Sequence, residues 1–438
     1  MTFLLPFFYF LIFSYILYKH RFFKSMDLPF GILIGIFSLK IISSVVMYWI
    51  YTSYYPVRIE ADIFKYFDDA KIIFSSLNQS VWHYIQLICD IDISHPQLNQ
   101  YYDKMEFWDR KIDYGIGNDN RTIIKANAII MLFSHGNIWV HNVVAGFISL
   151  FTYILMYKTF VSFNSKLKYP LLIAIILIPS GFFWTSAMLK ETILMLGLAC
   201  YFYGFISILT KQKQYLPWLS LIIGMFFLLH IKVYVIAALI PASLGFLIAH
   251  KLPQKRVSHV YIISILVLIL GVIINNTYLH AVPILEKFAD KRNDFIMNVV
   301  YYAHAQSYIP IGFLDANIIS FIKDTPTSLY RAIFLPWIWN TSSLLGIIPA
   351  LENLVLIILS VLACFFSRTL HRSEQNIVWF SLFFSITLLW IIGITTPVIG
   401  AIVRYKITVF PFLYSIFALI IDWNKLYLKY IKHEYKQL

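Results

Sequence analysis

Residues 216–251 read LPWLSLIIGMFFLLHIKVYVIAALIPASLGFLIAHK, and how this stretch is divided decides the fold. A spanning helix needs about 20 mostly apolar residues to cross roughly 30 Å of hydrocarbon. Read as one helix, the stretch buries Lys232 near its middle and places Lys251, Lys255 and Arg256 on the side opposite the other basic clusters. Read as two short helices breaking near His230–Lys232, it returns those three residues to the side where Lys19, Arg21 and Lys24 lie, which is what the excess of Lys and Arg in cytoplasmic loops requires. The sequence therefore predicts two helices.

Working outward, comparable apolar runs occur at about 2–18, 30–51, 139–157, 170–188, 192–210, 216–230, 233–249, 257–276, 344–366, 377–396 and 406–422. The expected fold is an all-α integral membrane protein with about 11 transmembrane helices and two large external loops carrying interfacial helices. Composition supports this: 60% of the 438 residues are apolar or aromatic and only 13% are charged, against roughly 25% in soluble chains. The mean hydropathy is +0.73. A cytosolic multidomain enzyme, a disordered chain and a secreted disulfide scaffold are excluded, and Cys89, Cys200 and Cys364 outline no disulfide framework.

The net charge of +13, from 35 basic and 22 acidic residues, is mostly a loop effect. Alternate loops carry Lys19, Arg21 and Lys24; Lys158, Lys166 and Lys168; Lys211 and Lys213; Lys251, Lys255 and Arg256; Arg368 and Arg372; and Lys425, Lys429, Lys432 and Lys436. The expected orientation is N-terminus outside and C-terminus inside, in a bacterial cytoplasmic membrane, with no cleaved signal peptide. The organisation is two N-terminal helices (1–51), a first external loop (52–138), helices three to eight (139–276), a second external loop (277–343), helices nine to eleven (344–422) and a basic tail (423–438). Residues 52–125 hold half of all the acidic residues, which places the work of the protein outside.

Several groups stand out against the apolar background. From Ile63 to Leu77 the apolar residues recur at three and four, predicting an amphipathic helix on the outer membrane surface. Glu60 and Asp62 precede it; a carboxylate there could act as general base or hold a divalent cation, or Asp62 could simply cap the helix. In IPSGFFWTSAMLKETIL (178–194), Pro179, Ser180 and Gly181 predict a break, and the segment after it delivers Trp184, Lys190 and Glu191 to one place. The structural alternative is a belt tryptophan and a snorkelling lysine. Lys232 lies in HIKVY (230–234), and Arg404 and Lys406 in GAIVRYKITVFPF (400–412) at the expected start of the last helix. Lys190, Lys232, Arg404 and Lys406 share one expected depth, and such a cluster would hold a diphosphate. Trp337 and Trp339 read as an interfacial belt; Trp337 is also a candidate substrate contact. Glu352 falls about two turns inside a span, where a carboxylate is either functional or a partner for a nearby cation. No nucleotide fingerprint, nucleic-acid motif or zinc spacing is present.

The runs IPSGFFWTSAMLKE, PWIWN with ALENL, RTIIKANAIIMLFSHGNIWVHNVVAGFISL and VRYKITVFPFLY resemble bacterial polytopic membrane glycosyltransferases of the GT-C type and the related O-antigen and exopolysaccharide polymerases. The resemblance implies transfer of a sugar from a polyprenyl-phosphate-linked donor to a glycan or lipid-linked acceptor at the external face. It assigns Glu60 or Asp62 as the base and Lys190, Lys232 and Arg404 to phosphate. The acidic motif here is E-A-D, not two adjacent carboxylates, and a helix precedes the long loop. A repeat-unit polymerase is the close alternative. A transporter or flippase of lipid-linked oligosaccharide is the alternative of another class, lacking here a detectable repeat between halves.

Overall fold

The computed structural model describes residues 3–26, 28–54, 57–58, 61–109, 118–210, 215–252, 256–279, 282–303, 305, 307–341 and 344–430. Helix makes up 82% of it, and no strand occurs among the described residues. The helices that matter below are α1 (Leu4–Lys19), α2 (Phe30–Tyr54), α3 (Asp62–Ser75), α4 (Asp119–Ser134), α5 (Ile138–Val161), α6 (Lys168–Ile176), α7 (Pro179–Trp184), α8 (Lys190–Leu209), α9 (Tyr215–Ile231), α10 (Val233–Lys251), α11 (Val257–Ile274), α12 (Ile284–Asn298), α13 (Ile318–Phe334), α14 (Leu344–Phe365), α15 (Arg372–Thr395), α16 (Ile399–Lys406) and α17 (Phe410–Ile420).

Among the described residues, seven helices, α2, α5, α8, α10, α11, α14 and α15, are long and apolar enough to cross a membrane; α16 and α17, bent by 57° at their junction, make an eighth if counted as one broken span. This is a multi-pass membrane protein, but the expected eleven spans are not there. α1 has 16 residues and α9 has 17, which at 1.5 Å per residue reach only about 24–26 Å. The run at 170–188 is divided into α6 and α7 with Leu177 and Ile178 between them, because Pro179 has no N–H to continue α6. The break between α9 and α10 falls at Lys232, as the charge pattern predicts.

The chain forms two compact units, residues 1–159 with 182–233, and 160–181 with 234–438. The first packs α8 against α9 as an antiparallel hairpin. Small residues let backbones approach where lipid offers no hydrophobic drive between helices, and here Gly197 and Gly204 of α8 meet Gly224 and Leu221 of α9; a Cβ on Gly224 would lie 2.3 Å from the Tyr201 N. Continuing the same register toward the ends of the hairpin sets Lys190 opposite Lys232. A second cluster joins Met47 and Tyr51 of α2, Ile63 and Phe64 of α3, and Ala187 and Leu189. The apolar face of α3, with Ile63, Phe67, Ala70 and Ile73, is thus covered by protein and not left for lipid.

In the second unit, α15 is central, 72% buried along its span, whereas α14 is 22% buried and α11 17%. The latter two therefore present most of their apolar surface outward, as lipid-facing helices do. α13 lies so close to α15 that a Cβ on Gly393 would stand 2.1 Å from the Ser328 carbonyl oxygen.

Replacing Gly224 by Ala should lower the thermal unfolding temperature of the purified protein in detergent, since overpacking against backbone costs about 1–3 kcal/mol. Gly271→Ala, where a Cβ meets nothing within 4 Å, should leave it unchanged or raise it. Equal behaviour of the two variants would rule out the close α8–α9 packing.

Candidate functional site

The first unit brings two of the expected cations together. α4 starts at Asp119, with Asn118 as N-cap accepting from the N–H groups of Asn120 and Arg121. Asp119 is buried, and Lys190 Nζ stands 2.9 Å from its Oδ1 while Lys232 Nζ stands 3.7 Å from its Oδ2. Lys190 also donates to Asn120 Oδ1 at 2.5 Å and lies 5.2 Å from the ring centre of Tyr66 on α3. A lysine at the first position of α8 opposes the helix dipole, so the charge of Asp119 is what makes the position tolerable. Asp119 thus pairs with two cations.

Asp62 lies one helical turn before Tyr66, on the same face of α3. The N-cap of α3 is Ala61; Asp62 occupies the first helical position and pairs with Lys65 at 2.7 Å. The expected cap role is therefore corrected: the carboxylate faces a lysine one turn on. That pair is neutral, a poor starting point for a divalent cation, and no three His, Cys, Asp or Glu side chains converge among the described residues. Glu60 lies outside the described residues.

A short segment roofs this side of α3 and α4. Asp69 Oδ1 and Oδ2 accept from the Glu106 and Phe107 N–H groups at 3.1 and 2.8 Å. Asn120 Nδ2 donates to the Phe107 carbonyl at 3.0 Å, and Arg121 Nε to the Trp108 carbonyl at 3.1 Å. Asn120 therefore ties Lys190 and the segment 105–109 together. Burial raises the Asp69 carboxyl above its ordinary value, partly countered by the two backbone N–H groups.

The other expected residues behave differently. Glu191 is buried in the first turn of α8. Trp184 is half-buried and packs with Phe183 on the cluster around Met47 and Phe64. In the second unit, Arg404 and Lys406 sit in the last turn of α16. They stand at a carbonyl end of a helix, and the expected N-terminal anion site is corrected accordingly, because the chain bends at 407–409 before α17 begins. Lys406 is fully enclosed and directs its ammonium to Asn353 Oδ1 at 2.7 Å and the carbonyls of Ile333 and Leu335 at 3.1 and 3.3 Å. Those three bonds match the three donors of an ammonium. Glu352, two turns into α14 as expected, accepts from the Ser180 N–H at 2.6 Å and its hydroxyl at 2.5 Å. It also lines a mostly apolar groove of about 690 Å³ between α6, α14 and α17. Trp337 stacks on Trp339 at 4.8 Å and 9°, with its Nε1 donating to the Tyr330 hydroxyl at 3.0 Å.

The residue that sequence reading missed is Asp119. Asn-Asp-Asn at 118–120 reads as a helix start, and only the glycine spacing on α8 and α9 could have signalled that two lysines meet there. No family model matches the chain. Comparison with curated proteins and with solved structures finds no match either.

Removing the shared acid should be worse than removing one cation. Asp119→Ala removes the carboxylate that Lys190 and Lys232 share and should destabilise the protein by about 3–5 kcal/mol, whereas Lys232→Ala leaves the Lys190–Asp119 pair intact and should lower stability far less. Thermal unfolding of both variants decides this; the reverse order would refute the shared-carboxylate arrangement.

At Asp69 the folded state disfavours ionisation, so this residue contributes most below its unfolded pKa near 3.8 and its contribution declines as pH rises through the higher folded value. Stability of Asp69→Asn relative to the native protein should therefore increase between acid and neutral pH. A difference independent of pH would contradict it.

Proposed function

We propose that this protein is a membrane-embedded glycosyltransferase that moves a sugar or oligosaccharide from a polyprenyl-phosphate-linked donor at the external membrane face in cell-surface polysaccharide synthesis. The observation that carries the reading is the convergence of Lys190 and Lys232 on one buried carboxylate, beside the face of α3 that bears Asp62 and Tyr66. Two ammonium groups held at one point suit the phosphate of a lipid-linked donor.

In this proposal the ammonium groups of Lys190 and Lys232 take the donor phosphate, and Asp119 and Asn120 hold them in place. An acceptor hydroxyl attacks the anomeric carbon as the bond from that carbon to the phosphate oxygen breaks. The electron pair leaves with the polyprenyl phosphate, and the hydroxyl proton passes to Asp62, released from Lys65. Charge stabilisation of the departing phosphate is the main demand in such a step, and preorganised cations in a poorly hydrated site meet it. Aromatic faces such as Tyr66 and Phe107, both near Lys65, offer stacking surface to a sugar. A repeat-unit polymerase would use the same groups on a larger donor. The external placement of the site and the outward N-terminus belong to this proposal.

Lys190→Ala should abolish surface polysaccharide in producing cells while the protein stays in the membrane at normal level, and Lys190→Arg should restore part of it. Undiminished polysaccharide in both Lys190→Ala and Lys232→Ala would overturn the reading.

A further inference from the structure

The second unit holds a cationic cluster that the reading of the sequence passed over. Arg292 lies on the buried face of α12 with Leu285, Ala289 and Ile296, and Arg331 on the buried face of α13 with Phe321, Ser328 and Ala332. Both reach one carboxylate oxygen: Arg292 Nη1 is 2.7 Å and Arg331 Nη2 3.1 Å from Asp324 Oδ2. The Ser328 hydroxyl donates to the same oxygen at 2.6 Å, and Thr327 Oγ1 lies 3.3 Å from Oδ1. Arg331 Nη2 is also 3.1 Å from Ser328 Oγ and 3.5 Å from the Gly393 carbonyl oxygen.

Two guanidinium groups carry ten N–H donors between them, and this cluster engages few. Arg292 is 97% enclosed, at 3% exposure, and the Nε of both arginines is buried with no hydrogen-bond partner. A buried charged donor left unmade is expensive, and two such groups around a single acid leave one positive charge uncompensated. Asp324 is held ionised: burial alone would raise its carboxyl, but the Ser328 and Arg292 hydrogen bonds and the two arginine charges hold it below the ordinary value. Its side chain is 20% exposed, so the cluster opens to the surface along this residue.

We infer that Arg292 and Arg331 form an oxyanion-binding site, with Asp324 as the resident acid that orients them, and that its ligand presents a phosphate or carboxylate group to their unused N–H edges. The planar guanidinium fork matches either group in bidentate fashion. A purely structural ion pair would place one arginine on one carboxylate and fill the remaining donors with carbonyls. The site belongs wholly to the second unit and does not depend on the Lys190 reading.

The test uses the full-length protein in detergent, carrying Lys190→Met, Lys232→Met and Asp119→Asn together, so that the first unit's cations do not contribute and no charge there is left without its partner. Its unfolding temperature is followed against inorganic phosphate, acetate and chloride at constant ionic strength. Saturable stabilisation by phosphate or acetate over chloride is expected, with the better anion identifying which group the ligand carries. Arg292→Gln should abolish it. Asp324→Asn, which removes the competing acid, should lower the half-saturating concentration about tenfold, the opposite of what loss of a structural ion pair would do. If Arg292→Gln does not fold, Asp324→Asn alone decides. Stabilisation equal among the three salts, or unchanged in both variants, would overturn the proposal, as would weaker anion binding in Asp324→Asn.

Discussion

An interrupted helix surrounded by hydrocarbon exposes N–H and C=O groups that no water can reach, and the arrangement of this protein follows from how those groups are satisfied. The chain interrupts its helices repeatedly, and at several of the interruptions a charged side chain from elsewhere takes the freed backbone. Glu352 receives the Ser180 N–H at the start of α7. Lys40, fully enclosed within α2, donates to the Phe182 carbonyl and the Thr185 hydroxyl. Lys406 closes the carbonyl end of α13, and Arg372 reaches the carbonyls of Ala249 and Leu252 at the end of α10. Charge-assisted bonds contribute about 1.5–3 kcal/mol each, enough to hold a break that apolar packing alone would close or fray.

This sorts the buried charges into two kinds. Lys40, Glu352, Lys406 and Arg372 bond to helix ends. Lys190 and Lys232 meet at Asp119, and Arg292 and Arg331 at Asp324, through side chains. The rule that an ionisable residue at membrane depth marks function selects both kinds alike. Glu352 and Lys406 serve helix ends through part of their bonding, the Ser180 N–H for one and the Ile333 and Leu335 carbonyls for the other, besides the side chains of Ser180 and Asn353.

Much of the frame was legible in the sequence. A lysine between two apolar runs cannot rest at mid-bilayer, so the break at Lys232 was readable, and Pro179-Ser180-Gly181 announced the break before α7. The span count was not, because apolarity reports which solvent a segment meets and says little about its length as a straight helix. α1, α9 and the α6–α7 pair are apolar without being long. The role of Asp119 was invisible for a different reason: its meaning lies in two lysines far along the chain, delivered by a hairpin whose register Gly197, Gly204 and Gly224 set. Spacing of small residues was the available clue, and charge pattern alone could not use it.

The two cation clusters share a logic that bears on how each would work if it holds an anion. Two cations side by side repel; one resident acid offsets part of that repulsion and draws both toward the same point. The resident carboxylate competes with a ligand anion for the same cations, which weakens binding relative to a bare pair and eases departure of the ligand. Catalysis gains from interactions stronger in the transition state than in the bound ground state. In the proposed transfer, the pair of lysines would answer most strongly when negative charge builds on the leaving phosphate, and least when the charge is still spread over an intact phosphodiester.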